Sequence, residues 1–160
     1  MSQSEQVSGN EKRKIRSTTR LYAIQALFQM EQLGLSTDEV VEEFVVHRFG
    51  EEYEEGQLSD GDEALFKSIV VSAVNYQAYI DQLTDRALVK KWPIARIDPT
   101  LRSLFRAAAA EITQIKTPPK IVITEYVALA HAFFPDGKEP NFVNAVLDHM
   151  AREACPTEFN

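Results

Sequence analysis

Apolar positions recur at helical spacing along most of the chain. From Ile121 to Phe134 the residues I-V-I-T-E-Y-V-A-L-A-H-A-F-F place Val122, Tyr126, Leu129 and Phe133 on one stripe. Ile123, Val127, Ala130 and Phe134 form a second stripe beside it, and a band that wide predicts a helix buried over most of its circumference. Pro118-Pro119 opens this helix, since a first turn leaves its N–H groups unbonded in any case. Pro135-Asp136-Gly137-Lys138 stops it, and Pro140 marks the first turn of another. The run N-F-V-N-A-V-L-D-H-M then sends Phe142, Val143, Val146, Leu147 and Met150 inward and sets Asn141, Asn144 and Asp148 on another face.

The same reading extends through the rest of the chain. A first helix is predicted from Ser17, with Ser17 or Thr18 as cap, to Leu33, with Leu21, Ile24, Leu27 and Phe28 inward. Gly34 ends it, and Ser36-Thr37-Asp38 caps a second helix reaching Phe49 with Val40, Val41, Phe44 and Val45 inward. Glu51 to Glu63 holds seven acids in thirteen residues and no base, which predicts an exposed loop. A third helix runs from near Asp62 to about Tyr79 on Leu65, Ile69, Val70, Ala73 and Tyr76, and a further piece covers Asp81 to Lys90. Trp92-Pro93 closes that piece, and Asp98 as cap with Pro99 at the first helical position opens the next helix, which reaches Ile115. Leu101, Leu104, Phe105, Ala108 and Ile112 are its buried stripe; its alanine row Ala107–Ala110 admits a close neighbour, and one of the i, i+4 neighbours Arg102 and Arg106 is expected to pair with a carboxylate. The predicted fold is all-α: a compact bundle of about seven helices, with residues 1–11 a disordered tail, 12–155 a single helical domain and 156–160 a frayed C-terminus.

Charge changes the picture. Seventeen basic against twenty-four acidic residues give a net −7, the wrong sign for a protein that meets a polyanion with its whole surface. Five of the bases, Lys12, Arg13, Lys14, Arg16 and Arg20, fall in one stretch without an acid. Twelve basic and twenty-four acidic residues remain outside it, so a polyanion is held at that stretch and repelled elsewhere. A lysine and arginine cluster can equally be a solvated face; its place at a terminus leading into a helix is what an RNA-binding arm looks like.

Other chemistry is missing from the pattern. His47, His131 and His149 lack the spacing of a metal site, and the lone Cys155 cannot form an internal disulfide. There is no nucleotide-cradling glycine motif and no nucleophile elbow, and Glu125 reads as part of a structural polar contact. No run is long and apolar enough for a signal or a membrane span. The expectation is a cytoplasmic binding protein with no active site, cofactor or metal.

Three stretches in register resemble the NusB family of bacterial transcription antitermination factors: A-I-Q-A-L-F-Q-M at Ala23–Met30, W-P-I-A-R-I-D-P-T-L-R-S-L-F-R-A-A-A-A-E-I at Trp92–Ile112, and the hairpin from Lys120 to Met150. The resemblance covers roughly residues 12–152. It implies two packed helical sub-bundles and a factor that binds boxA-type single-stranded RNA with NusE, a small-subunit ribosomal protein. The pair would act on RNA polymerase, in an antitermination complex, to promote read-through of ribosomal RNA operons. The family's arginine-rich segment corresponds to Lys12, Arg13, Lys14, Arg16 and Arg20, although Arg16-Ser17-Thr18-Thr19 stands where some members have consecutive arginines. Its second RNA contact maps to Lys138, Asn141 and Phe142, with Asn141 in place of a common lysine. Its NusE contacts map to Phe28 and to Leu101, the latter replacing a common acid. Phe142, Phe28 and Leu101 also lie on apolar stripes, so contact and core remain open for each. The chain is expected to be a monomer or a homodimer; other readings are a NusB-like module of a ribosomal RNA methyltransferase, or a helical adaptor that binds protein alone.

Overall fold

The computed structural model describes residues 9–49, 52–53, 56–57, 61–88 and 94–159. Seven α-helices hold most of the described residues: α1 (Gly9–Leu33), α2 (Thr37–Glu43), α3 (Glu63–Asn75), α4 (Gln77–Ala87), α5 (Pro99–Ala110), α6 (Pro119–Phe133) and α7 (Glu139–Ala154). The expected Trp92-Pro93 stop lies outside the described residues.

Local chemistry sets most of the boundaries. Gly34 takes a left-handed φ of 67° and returns its N–H to Met30, the usual way a glycine closes a helix. Ser36 accepts from the Glu39 amide, Asp62 from the Leu65 amide and Asp98 from the Thr100 amide, so each caps the helix it precedes. Two helices end in a wider turn: Phe44–Arg48 continues α2, and Glu111–Ile115 continues α5 until Lys116 turns left-handed. Asn75 ends α3 and Tyr76 stands between it and α4, exposed rather than on the inward stripe expected of it. Phe66, which the sequence reading did not single out, fills that inward place.

Helix α5 is the centre of the molecule. Leu101, Leu104, Phe105 and all four alanines from Ala107 to Ala110 are buried on it, and it touches α1, α3, α4, α6 and α7. On one side α1, α2 and α3 pack together around four rings, Tyr22, Phe44, Phe49 and Phe66, whose centroids lie 4.9–6.1 Å apart. On the other, α7 lies against α4 and α6, with Val143, Val146, Leu147 and Met150 buried as their spacing predicts. Two sub-bundles therefore share α5.

Three features differ from the sequence reading. Helix α1 is already formed at Gly9, well ahead of Ser17, because nothing between Lys12 and Arg16 breaks a helix and Thr19 returns its hydroxyl to the Ile15 carbonyl at 2.7 Å. The stretch expected as a tail is thus described as helix from residue 9 onward; the part before it lies outside the described residues. Within the acidic segment, Glu52–Tyr53 and Gly56–Gln57 pair as a short antiparallel ladder instead of plain loop. Pro156–Phe159 forms a short helical turn rather than a frayed end.

Candidate nucleic-acid interface

Helical geometry sorts the five basic residues of α1. Lys12, Arg13, Arg16 and Arg20 fall within an arc of roughly 100°, whereas Lys14 points elsewhere on the helix. That arc forms one wall of a groove of about 660 Å³. Gly9, Lys12, Arg13 and Arg16 line it from α1, Asp62 and Leu65 from the start of α3, and Thr117, Pro118, Ile121 and Glu125 from the start of α6. Lys12, Lys14 and Arg16 are exposed and make no ion pair with any described residue. Arg13 is 64% exposed and donates from Nε to Glu125 Oε1 at 2.9 Å, while the Glu125 side chain is only 9% exposed.

Arg20 plays another part. Its guanidinium is buried at the floor of the groove and donates from Nε and Nη2 to both oxygens of Glu111, at 2.8 and 3.0 Å. The Tyr126 hydroxyl donates to Glu111 Oε2 at 2.6 Å and the Thr117 hydroxyl to Oε1 at 3.0 Å, so a fully buried carboxylate has four donors. Burial pulls the Arg20 pKa down, but the hydrogen bond and charge of Glu111 outweigh it and leave it above its ordinary value. Burial first, and then the Glu111 carboxylate, push the Tyr126 phenol well above its usual range against the opposing charge of Arg20. Arg20, expected as a phosphate ligand, is therefore a pin between α1, the end of α5 and α6. Thr19 adds a second pin by accepting the Asp62 amide at 2.7 Å.

The remaining candidates lie elsewhere. Lys138 and Asn141 are exposed at the start of α7, and Phe142 is half-buried with its ring set edge-on to Phe105 at 5.9 Å. Ile121 in the groove and Phe134 before this second group are separated by roughly 20 Å of α6. Phe28 is 37% exposed, not inward, and forms a shallow depression with Gln25, Gln29, Gln32 and Leu33 of α1, Thr100 of α5 and Phe133 of α6. Leu101 is buried against the core, and its neighbour Thr100 faces the depression instead.

A model of the NusB family matches residues 17–152. The chain belongs to the NusB family. The transcription antitermination protein NusB of Granulibacter bethesdensis is 42% identical over 156 residues, covering 94% of this chain and 95% of that one. Among solved structures, T. maritima NusB shares the fold with a TM-score of 0.72 and 24% identity over 90% of this chain and 96% of its own. The antitermination factors NusB and NusE in complex with dsRNA give 0.70 and 23% over 86% and 96%.

The NusB match begins one residue after Arg16, so it takes in the Arg20–Glu111–Tyr126 pin and leaves the exposed cations just outside. Within it, both Arg102 and Arg106 pair with carboxylates, where one of them was expected to. Arg106 holds Asp81 through Nε at 3.0 Å and Nη2 at 2.9 Å, and Glu31 through Nη1 at 3.0 Å. Arg102 also holds Glu31, and its hydrogen bond is the main reason the Glu31 carboxyl lies below its usual range, burial acting the other way. This NusB-family bundle is thus tied across α1, α4 and α5 by one charged cluster, at the opposite end of α1 from the groove. Glu111 and Thr117 escaped the sequence reading, and Asp62 was read only as the start of a helix. One signal was present: Arg20 stands at i−4 and i−7 to Ile24 and Leu27, inside the apolar stripe, where a lone charge needs a buried partner.

Proposed function

We propose that this NusB-family chain is a transcription antitermination factor that binds boxA-type single-stranded RNA together with NusE and promotes read-through of ribosomal RNA operons by RNA polymerase. The carrying observation is the exposed set Lys12, Arg13, Lys14 and Arg16, helical on α1 and three of them on one groove wall, in a chain of net charge −7. The names of its relatives and the solved assembly of NusB and NusE with double-stranded RNA support the same reading.

Phosphates of the strand sit against Lys12, Arg13 and Arg16, with Lys14 adding charge from the next face. The strand then follows α6 toward Lys138 and Asn141, where the exposed part of the Phe142 ring offers a stacking surface. NusE covers the depression around Phe28, beside the far end of α6; Leu101, being core, takes no direct part.

The test is the salt dependence of RNA binding. Affinity of a single strand falls with salt at a log–log slope of roughly −0.7 per neutralised phosphate. Replacing Lys12, Arg13, Lys14 and Arg16 together with alanine is expected to flatten that slope by roughly 2 to 3 while the far-ultraviolet spectrum stays helical. An unchanged slope removes α1 from the interface.

A further inference from the structure

We infer that Glu125 is a specificity-determining residue of the groove, accepting hydrogen bonds from the Watson–Crick edge of a guanine in the bound strand. The inference rests on the RNA-binding reading above and deepens it.

A groove that holds a polyanion has no evident use for a carboxylate on its wall. Yet Glu125 is 7% exposed, lines the groove and stands between Arg13, which it pairs, and Arg20, on whose charge it acts. Only Oε1 is engaged, by Arg13; Oε2 receives no hydrogen bond from any described residue and is not among the buried unpartnered atoms, so it opens onto the groove. A carboxylate oxygen left open on a groove wall can take a donor without breaking any bond it already makes. It is poised for a donor that comes with the ligand.

The phosphates and bridging oxygens of RNA are acceptors only, so such a donor comes from a base or from a 2′-hydroxyl. Guanine is the base that presents an imino N–H and an amino N–H side by side, matching the two oxygens of a carboxylate. Oε1 has lone-pair capacity beyond the bond from Arg13, and Oε2 is open. Lys12, Arg13 and Arg16 on the facing wall offset the repulsion between the carboxylate and the flanking phosphates. The cations thus hold the backbone while Glu125 reads one base, a division common to nucleic-acid interfaces.

The experiment compares a fluorescein-labelled decauridine with the same strand carrying one central guanosine, or one inosine, which lacks the 2-amino group. Binding is measured with NusE in excess, for the native chain and for Glu125→Gln and Arg13→Ala. The native chain is expected to prefer the guanosine strand by about tenfold over decauridine, a typical size for a paired contact to a base edge, with inosine between them. Glu125→Gln, nearly equal in shape, is expected to lose that preference and keep the salt slope. Arg13→Ala is expected to weaken all three strands and keep the preference, which separates reading by Glu125 from its holding of Arg13. A preference that survives Glu125→Gln, one that vanishes equally in Arg13→Ala, or an equal change for every strand, as from a 2′-hydroxyl contact, overturns the inference while leaving the RNA-binding reading in place. Failure of all strands to bind overturns both.

Discussion

The Tyr126 hydroxyl donates to Glu111 Oε2 at 2.6 Å, with both side chains buried. The same oxygen receives Arg20 Nε at 2.8 Å, so the phenol and the guanidinium converge on one atom from α6 and α1. Removing either donor leaves a charge in the interior with fewer partners.

Arg20→Ala is therefore expected to lower the unfolding free energy by about 3–5 kcal/mol, because it strands Glu111. Tyr126→Phe, which removes one hydroxyl, is expected to lower it by about 1–3 kcal/mol. Urea titrations of both variants check this. Should Arg20→Ala keep its stability and lose RNA affinity instead, Arg20 belongs with the phosphate ligands after all.

Acid provides a second test. The Glu31 carboxyl lies below its ordinary value of 4.5 in the fold, held there by Arg102 against the effect of burial. The unfolded chain then takes up the proton first as the pH drops, so the Glu31 contribution is complete above about pH 4.5 and fades as the pH falls through the depressed value. The difference in melting temperature between the native chain and Glu31→Gln is expected to be constant from pH 7 to 5 and to shrink below that.

Phe142 divides its ring between core and surface. Phe142→Ala is expected to cost about 2–3 kcal/mol, at or just under the lower end for a buried ring, through the lost contact with Phe105. Lys138→Ala with Asn141→Ala, both exposed, is expected to leave stability unchanged and weaken RNA binding. Denaturation and fluorescence anisotropy on the same preparations separate the two effects.

Phe28 and Leu101 should part company in the same way. Leu101→Ala is expected to destabilise by about 2–4 kcal/mol. Phe28→Ala, at a ring 37% exposed, is expected to change stability little and to weaken NusE binding, read by calorimetry. Undiminished NusE affinity in Phe28→Ala moves the partner off this depression.

What could be read from the sequence follows a physical division. Capping and periodicity are local, so Asp98-Pro99, Gly34, Ser36 and the stripes of α6 and α7 announced their elements before any coordinates. Where periodicity was ambiguous the reading slipped. Phe28 is adjacent to Leu27 at the edge of a stripe, and one step of 100° decides between core and solvent. Tyr76 extended a pattern that breaks at that residue. Long-range pairing was out of reach: Arg20 and Glu111 stand 91 positions apart, and only the packing of α1 on α5 reveals that the most C-terminal of the clustered bases is a core residue. The groove depended on the same packing, because its two walls come from opposite halves of the chain.

Helix α1 runs without a break from Gly9 to Leu33, and the cations near its start share one continuous helix with the residues that anchor its middle in the core. The charged ladder from Lys12 to Arg16 is thereby assembled before any strand arrives. On the reading proposed above, RNA meets this segment already helical, with no coil-to-helix penalty, and its spacing follows the helix pitch rather than being moulded around the ligand. A strand whose phosphates do not match that spacing is then expected to bind less well, ahead of any contact with its bases.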